Sequence, residues 1–115
     1  MSLDANKAVA ILGAGSWGTA LGILVARNGY IARLWDVDTA RLARMEHEHE
    51  NATFLPGIKF PSNVSTCKDL VTLIRGTAHV LVAVPSHAYR ATTVAIAPLV
   101  SRETVIACAT KGLEP

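Results

Sequence analysis

The stretch Ala8-Val9-Ala10-Ile11-Leu12-Gly13-Ala14-Gly15-Ser16-Trp17-Gly18 decides the fold. Five apolar residues in a row read as a strand buried on both faces. The pattern behind them, G-x-G-x-x-G, ends that strand and opens a helix. The helix is expected from about Trp17 to Asn28, with Asn28-Gly29 as its stop. A second strand follows at Ile31-Ala32-Arg33-Leu34-Trp35, and Asp36 closes it, 18 residues beyond Gly18. Glycine patterns alone are common. A glycine turn between a buried strand and a helix, followed by an acid at the end of the next strand, is far more specific to dinucleotide binding.

The chemistry explains the spacing. Gly13 allows the tight turn out of the strand, and Gly15 lets the backbone approach a pyrophosphate. Gly18 lets the helix pack close to the strand. The unpaired amides at the helix N-terminus favour the phosphate charge. Asp36 is placed to accept from the adenosine ribose hydroxyls. The competing reading is a sharp strand-to-helix turn without a ligand, and the complete βαβ context favours the dinucleotide.

Working outward, the order β-α-β-α-β-α-β-α-β predicts a doubly wound parallel sheet with helices on both faces, built as a single α/β domain over residues 1–115. Thr39 to about Glu48 is a helix with Leu42 and Met45 on its apolar side and Asp38 or Thr39 as its cap. Asn51 to Ser62 is expected to be a loop, broken by Pro56-Gly57 and Pro61. Its apolar residues Phe54, Leu55, Ile58 and Phe60 should pack on the domain or on a ligand edge. Val64 to Cys67 is a weak third strand, and Asp69 to Arg75 a short helix ended by Gly76. His79 to Val84 is a buried strand. Ser86 is expected to cap a helix reaching about Val100, and Thr104 to Cys108 is the fifth strand. The chain then stops in a loop, which reads as the front piece of a larger enzyme.

A ligand on such a sheet crosses the carboxyl ends of its strands. That rule gathers Gly13 to Trp17, Asp36-Val37, Val84-Pro85-Ser86-His87 and Thr110-Lys111-Gly112 on one rim. Lys111 is a cation there, able to hold a phosphate or polarise a carbonyl. For His87, a catalytic acid–base role is weaker than simple membership of a capped first turn. Tyr89 and Phe54 are candidates to pack on a nicotinamide or adenine ring, or plain packing aromatics. His47 and His49 alternate, so a helix points them apart and no metal site is expected.

Composition narrows the function classes. Eleven basic and nine acidic residues give a net charge of +2 without a basic cluster, so nucleic acid and anionic membranes are not expected partners. No apolar run approaches the roughly 20 residues of a bilayer span. The first residues read as no secretory signal. Cys67 and Cys108 read as buried thiols in strands, which suits a reducing cytoplasm.

The segments Gly13-Ala14-Gly15-Ser16-Trp17-Gly18-Thr19-Ala20-Leu21-Gly22, Ala26-Arg27-Asn28-Gly29 and Leu34-Trp35 resemble bacterial NAD(P)-dependent glycerol-3-phosphate dehydrogenases. So do Asn51-Ala52-Thr53-Phe54-Leu55-Pro56-Gly57, Val84-Pro85-Ser86-His87 and Ala109-Thr110-Lys111-Gly112-Leu113-Glu114. The resemblance runs in order over nearly the whole chain and implies the N-terminal Rossmann-type cofactor domain of such an enzyme. It implies an oxidoreductase that interconverts sn-glycerol 3-phosphate and dihydroxyacetone phosphate for glycerophospholipid synthesis in the cytoplasm, with a homodimer suggested. Ser16 and Trp17 match cofactor-contacting positions, and Lys111 matches a lysine that touches cofactor and substrate. The family's proton-transferring lysine and phosphate-gripping residues lie in a C-terminal helical domain, so no catalytic residue is assigned here.

One departure stands out. NADPH-using members often carry Arg or His just past the second strand, where this chain has Asp36-Val37. An acid repels a 2′-phosphate and valine cannot bind one. NAD(H) is therefore the expected cofactor, with NADP(H) tolerated if Arg41 or Arg44 reaches it. The expected cofactor set is Gly13, Gly15, Ser16, Trp17, Gly18, Asp36, Val37, Pro85, Tyr89 and Lys111, with Lys111 also meeting substrate. A reading of another class is a stand-alone, non-catalytic module that senses NAD(H). A flavin or S-adenosylmethionine site has no support beyond the first βαβ unit.

Overall fold

The computed structural model describes residues 7–109. In chain order they form β1 (Ala8–Leu12), α1 (Ser16–Arg27), β2 (Ile31–Trp35), α2 (Thr39–Glu48), β3 (Glu50–Asn51) and β4 (Leu55–Lys59). Then come β5 (Val64–Thr66), α3 (Leu70–Arg75), β6 (His79–Val82), α4 (Ser86–Ile96), a 3-10 turn at Ala97–Leu99, and β7 (Val105–Cys108).

Five strands make one sheet in the order β5-β2-β1-β6-β7, and every pairing in it is parallel. The chain leaves β1 toward β2 and β5, then returns across it to β6 and β7. The strand order therefore reverses between β1 and β6, and this is the switch point of a doubly wound, Rossmann-type sheet.

β1 lies in the middle and is buried at all five positions. Its side chains alternate between two cores. Val9 and Ile11 join Ile23 and Ala26 of α1, Leu34 of β2, and Leu42 and Met45 of α2. Ala10 and Leu12 join Leu73 and Ile74 of α3, Val80 and Val82 of β6, and Ile96 of α4. That two-sided burial is why the strand reads as an unbroken apolar run. Leu42 and Met45 are the buried side of α2, and Asp38 caps it by accepting from the Arg41 amide at 3.0 Å. Asn28 and Gly29 end α1, with Gly29 at φ +91°.

Three expectations need correction. The segment from Asn51 to Ser62 is not all loop: β3 and β4 form an antiparallel hairpin with Glu50 opposite Lys59. Pro56 and Gly57 sit within β4, and β4 is mostly exposed, so it carries no alternating signal. Its order comes from the Glu50–Lys59 ion pair at 3.2 Å, the Gly57 amide on Glu50 at 2.9 Å, and burial of Phe60. These contacts hold the Glu50 carboxyl below its ordinary value, the Gly57 hydrogen bond being the larger cause. Second, Ser86 is the first helical residue of α4 rather than its cap; Pro85 takes the cap position, without a side-chain bond. Third, Cys67 lies past the end of β5 and is half-buried, while Cys108 in β7 is exposed; both are free thiols. Among the described residues no helix is long and apolar enough to cross a membrane.

Candidate dinucleotide cleft

A cleft of about 520 Å³ opens at the carboxyl ends of the strands, over the β1–β6 switch point. One wall is the glycine turn, with Gly13, Gly15, Ser16, Trp17 and Gly18. A second comes from the end of β2 and from α2, with Trp35, Asp36, Val37 and Arg41. The third follows β6, with Ala83, Val84, Pro85 and His87, and Phe54 reaches in from the hairpin.

The three glycines do different work. Gly13 has φ +111°, and a Cβ there would stand 2.7 Å from the Ala83 carbonyl oxygen. A Cβ on Gly18 would stand 1.8 Å from the Gly13 carbonyl oxygen, so only glycine lets α1 start this close to β1. Gly15 differs: a Cβ there would meet nothing within 4 Å. The protein's own packing does not require that glycine. The space above it faces the cleft, beside the first-turn amides of α1, which lack intrahelical partners. No acidic residue stands in that first turn to compete with an anion. A pyrophosphate fits this cradle by shape and by charge.

Asp36 stands at the end of β2, as expected, but its carboxylate already has protein partners. Oδ2 accepts the Ala14 amide at 2.8 Å and meets Arg41 Nη2 at 2.7 Å. Oδ1 accepts the Asp38 amide at 3.1 Å. A carboxylate offers about four acceptor positions, so one remains for a ribose hydroxyl. Arg41 also approaches Asp38 at 3.6 Å and lies 4.7 Å over the Phe54 ring.

Beneath the turn sits Asn51, fully buried. Its Nδ2 donates to the Ala14 carbonyl and to Thr19 Oγ1, both at 2.9 Å. Its Oδ1 accepts the Phe54 amide at 3.2 Å. Burying an amide this deeply is tolerable because each polar atom is used. The Asn51 side chain thereby locks the hairpin onto the glycine turn and presents Phe54 to the cleft.

Of the residues expected from sequence, Gly13, Gly15, Ser16, Trp17, Gly18, Asp36, Val37 and Pro85 line this one cleft. The Trp17 indole N–H donates to the Ala109 carbonyl, which joins the glycine turn to the end of β7. Lys111 lies outside the described residues. Tyr89 does not line the cleft: it is half-buried, packed against the core that holds α3 and α4 to the sheet, and its hydroxyl pairs with Cys108 Sγ at 2.7 Å. That bond and burial raise the Tyr89 pKa, the bond being the larger cause. His87 does line the cleft, and the first-turn capping account that set it aside is gone with the Ser86 cap. Asn51 was missed as a site residue. Its one sequence signal is its place at the head of the Asn51–Gly57 segment that carries the resemblance. His49 ends α2 at φ 54°, and among the described residues no group of His, Cys, Asp or Glu could hold a metal.

Comparison with known proteins agrees with this geometry. A family model described as NAD-dependent glycerol-3-phosphate dehydrogenase N-terminus matches residues 8–115. The chain is 46% identical over 115 residues to a glycerol-3-phosphate dehydrogenase [NAD(P)+] of Stenotrophomonas maltophilia, covering all of this chain and 33% of that protein. It is 46% identical over 112 residues to the enzyme of the same name from Xanthomonas campestris pv. campestris, covering 97% of this chain and 33% of that protein. A crystal structure of glycerol-3-phosphate dehydrogenase from Coxiella burnetii superposes with a TM-score of 0.88 at 39% identity, over 94% of this chain and 33% of that one. The chain thus spans about a third of the length of these relatives. A glycine turn on a parallel switch point, matched throughout by one family, makes the chain a member of the NAD-dependent glycerol-3-phosphate dehydrogenase N-terminal family.

Proposed function

We propose that this chain is the cofactor-binding part of an sn-glycerol-3-phosphate dehydrogenase that interconverts sn-glycerol 3-phosphate and dihydroxyacetone phosphate, serving glycerophospholipid synthesis in the cytoplasm. The observation that carries the reading is the open cradle at Gly15, on a cleft across the switch point. The cofactor supplies hydride exchange at its nicotinamide ring. The chain supplies binding and orientation. The first-turn amides of α1 hold the pyrophosphate, and Gly15 gives it room. Asp36 receives a ribose hydroxyl on its remaining acceptor position, flanked by Val37. Ser16, Trp17 and Pro85 line the path toward the nicotinamide end. The resemblance adds Lys111 there, where it fixes cofactor and substrate against each other. Proton transfer belongs to the helical domain that the resemblance implies.

The cofactor is NAD(H) in preference to NADP(H), because Asp36 and Val37 stand where a 2′-phosphate would need a cation. Titrating the chain with NADH, followed by nicotinamide fluorescence, tests the reading. Saturable binding that AMP displaces supports it, and absence of binding at millimolar NADH contradicts it.

A further inference from the structure

Arg41 and His87 are the basic side chains lining the cleft among the described residues, and Arg41 alone stands on the β2 side. It comes from α2, five positions beyond Asp36, rather than from the end of β2. Its side chain is only 14% exposed. Nη2 meets Asp36 at 2.7 Å and Nη1 meets Asp38 at 3.6 Å. One guanidinium thus serves two carboxylates, and the cluster carries net negative charge. Nε is buried with no hydrogen-bond partner among the described residues. The Phe54 ring under the guanidinium keeps it in the cleft. Arg44 does not line the cleft; it borders a separate, small hollow with Glu48 and Glu50, on the far side of Arg41.

We infer that Arg41 is the residue that sets the choice between NAD(H) and NADP(H). The inference rests on the dinucleotide reading above and deepens it. A ribose carrying a free 2′-hydroxyl leaves the Arg41–Asp36 pair in place. A 2′-phosphate must take the guanidinium from Asp36, because Asp36 and Val37 offer it nothing. Guanidinium suits that exchange, since it presents five donors in a planar fork that matches phosphate oxygens. NADP(H) is therefore bound through Arg41 and against Asp36, which makes it the weaker ligand. Removing the arginine removes what NADP(H) binding exists. Neutralising Asp36 releases the arginine and favours NADP(H).

The test measures dissociation constants of NADH, NADPH, AMP and adenosine 2′,5′-bisphosphate for the unmodified chain and for Arg41→Ala, Asp36→Asn and Arg44→Ala. Arg41→Ala is expected to weaken NADPH and the bisphosphate by about tenfold or more, the worth of a charge-assisted contact. NADH and AMP should weaken clearly less, since Asp36 keeps its bonds from the Ala14 and Asp38 amides, so the NADPH-to-NADH ratio moves. Asp36→Asn should tighten NADPH relative to NADH, which keeps the test decisive if NADPH binding to the unmodified chain is too weak to measure. Arg44→Ala should leave the NADPH-to-NADH ratio unchanged. An equal loss of all four ligands in Arg41→Ala would make the arginine a packing residue and overturn the inference. So would a ratio that moves with Arg44 instead, or an Asp36→Asn variant that gains nothing for NADPH. If the unmodified chain binds NADH while these ratios stay fixed, the inference alone falls. If it binds none of the four, the dinucleotide reading falls with it.

Discussion

The side-chain amide of Asn51 donates to the main-chain carbonyl of Ala14 at 2.9 Å. The Ala14 amide, on the other side of the same residue, donates to Asp36 at 2.8 Å. Asp36 pairs with Arg41, Arg41 lies on Phe54, and the Phe54 amide returns to Asn51. Five residues from the glycine turn, β2, α2 and the hairpin thus close a ring of contacts around one wall of the cleft. The turn is held by side chains 22 and 37 residues away in sequence.

Asn51→Ala should break that ring at its buried member. It strands the Ala14 carbonyl and the Phe54 amide, and it leaves a small void. The expected loss is about 2–3 kcal/mol of stability, read as a shift in the urea midpoint. NADH affinity should fall as well, since the turn and Phe54 lose their support. Unchanged stability would mean that water replaces the amide without cost.

Gly18→Ala should fail for steric reasons alone. The Gly13 carbonyl leaves no space for a methyl group. A destabilisation of about 3 kcal/mol is expected, because overpacking against backbone has no cheap relief. Thermal unfolding measures it, and a melting temperature equal to that of the unmodified chain would refute the contact.

The hairpin should loosen in acid. Glu50 has a depressed folded-state pKa, so its contribution is complete above the ordinary glutamate value near 4.3. It is lost as pH falls from there through the depressed value. Glu50→Gln should therefore unfold more easily than the unmodified chain at pH 7, with the difference closing as pH drops below 4. Melting curves across that range check the sign. A gap that widens in acid would reverse it.

Asp69 should behave likewise at the start of α3. It accepts from the Thr72 hydroxyl at 2.7 Å and from the amides of Val71 and Thr72, with the Thr72 hydroxyl the largest cause of its lowered pKa. Asp69→Ala should lower stability at neutral pH and lose that deficit in acid. Asp69→Asn, which can still cap, should lie between the two. Equal pH profiles for all three proteins would contradict the cap.

Much of this arrangement was legible in sequence wherever the cause is local. The run from Ala8 to Leu12 could only be a strand buried on both faces. Gly13 to Gly18 placed the turn, and Asp36 fell at the end of β2 as its spacing required. Asp38, Leu42 and Met45 follow from capping and helical period. What escaped depends on tertiary position. Asn51 acts on Ala14 across 37 residues, and nothing in the residues around it signals that partner. β4 contains Pro56 and Gly57, which ordinarily mark turns, and is held by Glu50 and Lys59 instead. Tyr89 read as an aromatic for a cofactor ring or for plain packing, and its own residue type could not separate the two. The turn of α4 lays it half-buried against the core and toward Cys108. Arg41 was visible only as a nearby cation, and its pairing with Asp36 needed the geometry of α2.

The most direct test of the central claim compares Gly15→Ala with the unmodified chain, measuring unfolding and NADH binding on the same samples. A methyl group at residue 15 meets no protein atom within 4 Å, and the backbone there has φ −78°, which any residue adopts. The predicted result is a stability unchanged within about 0.5 kcal/mol, together with at least a tenfold loss of NADH affinity because the methyl fills the pyrophosphate cradle. Unchanged NADH affinity in a folded Gly15→Ala protein would contradict binding at the glycine turn.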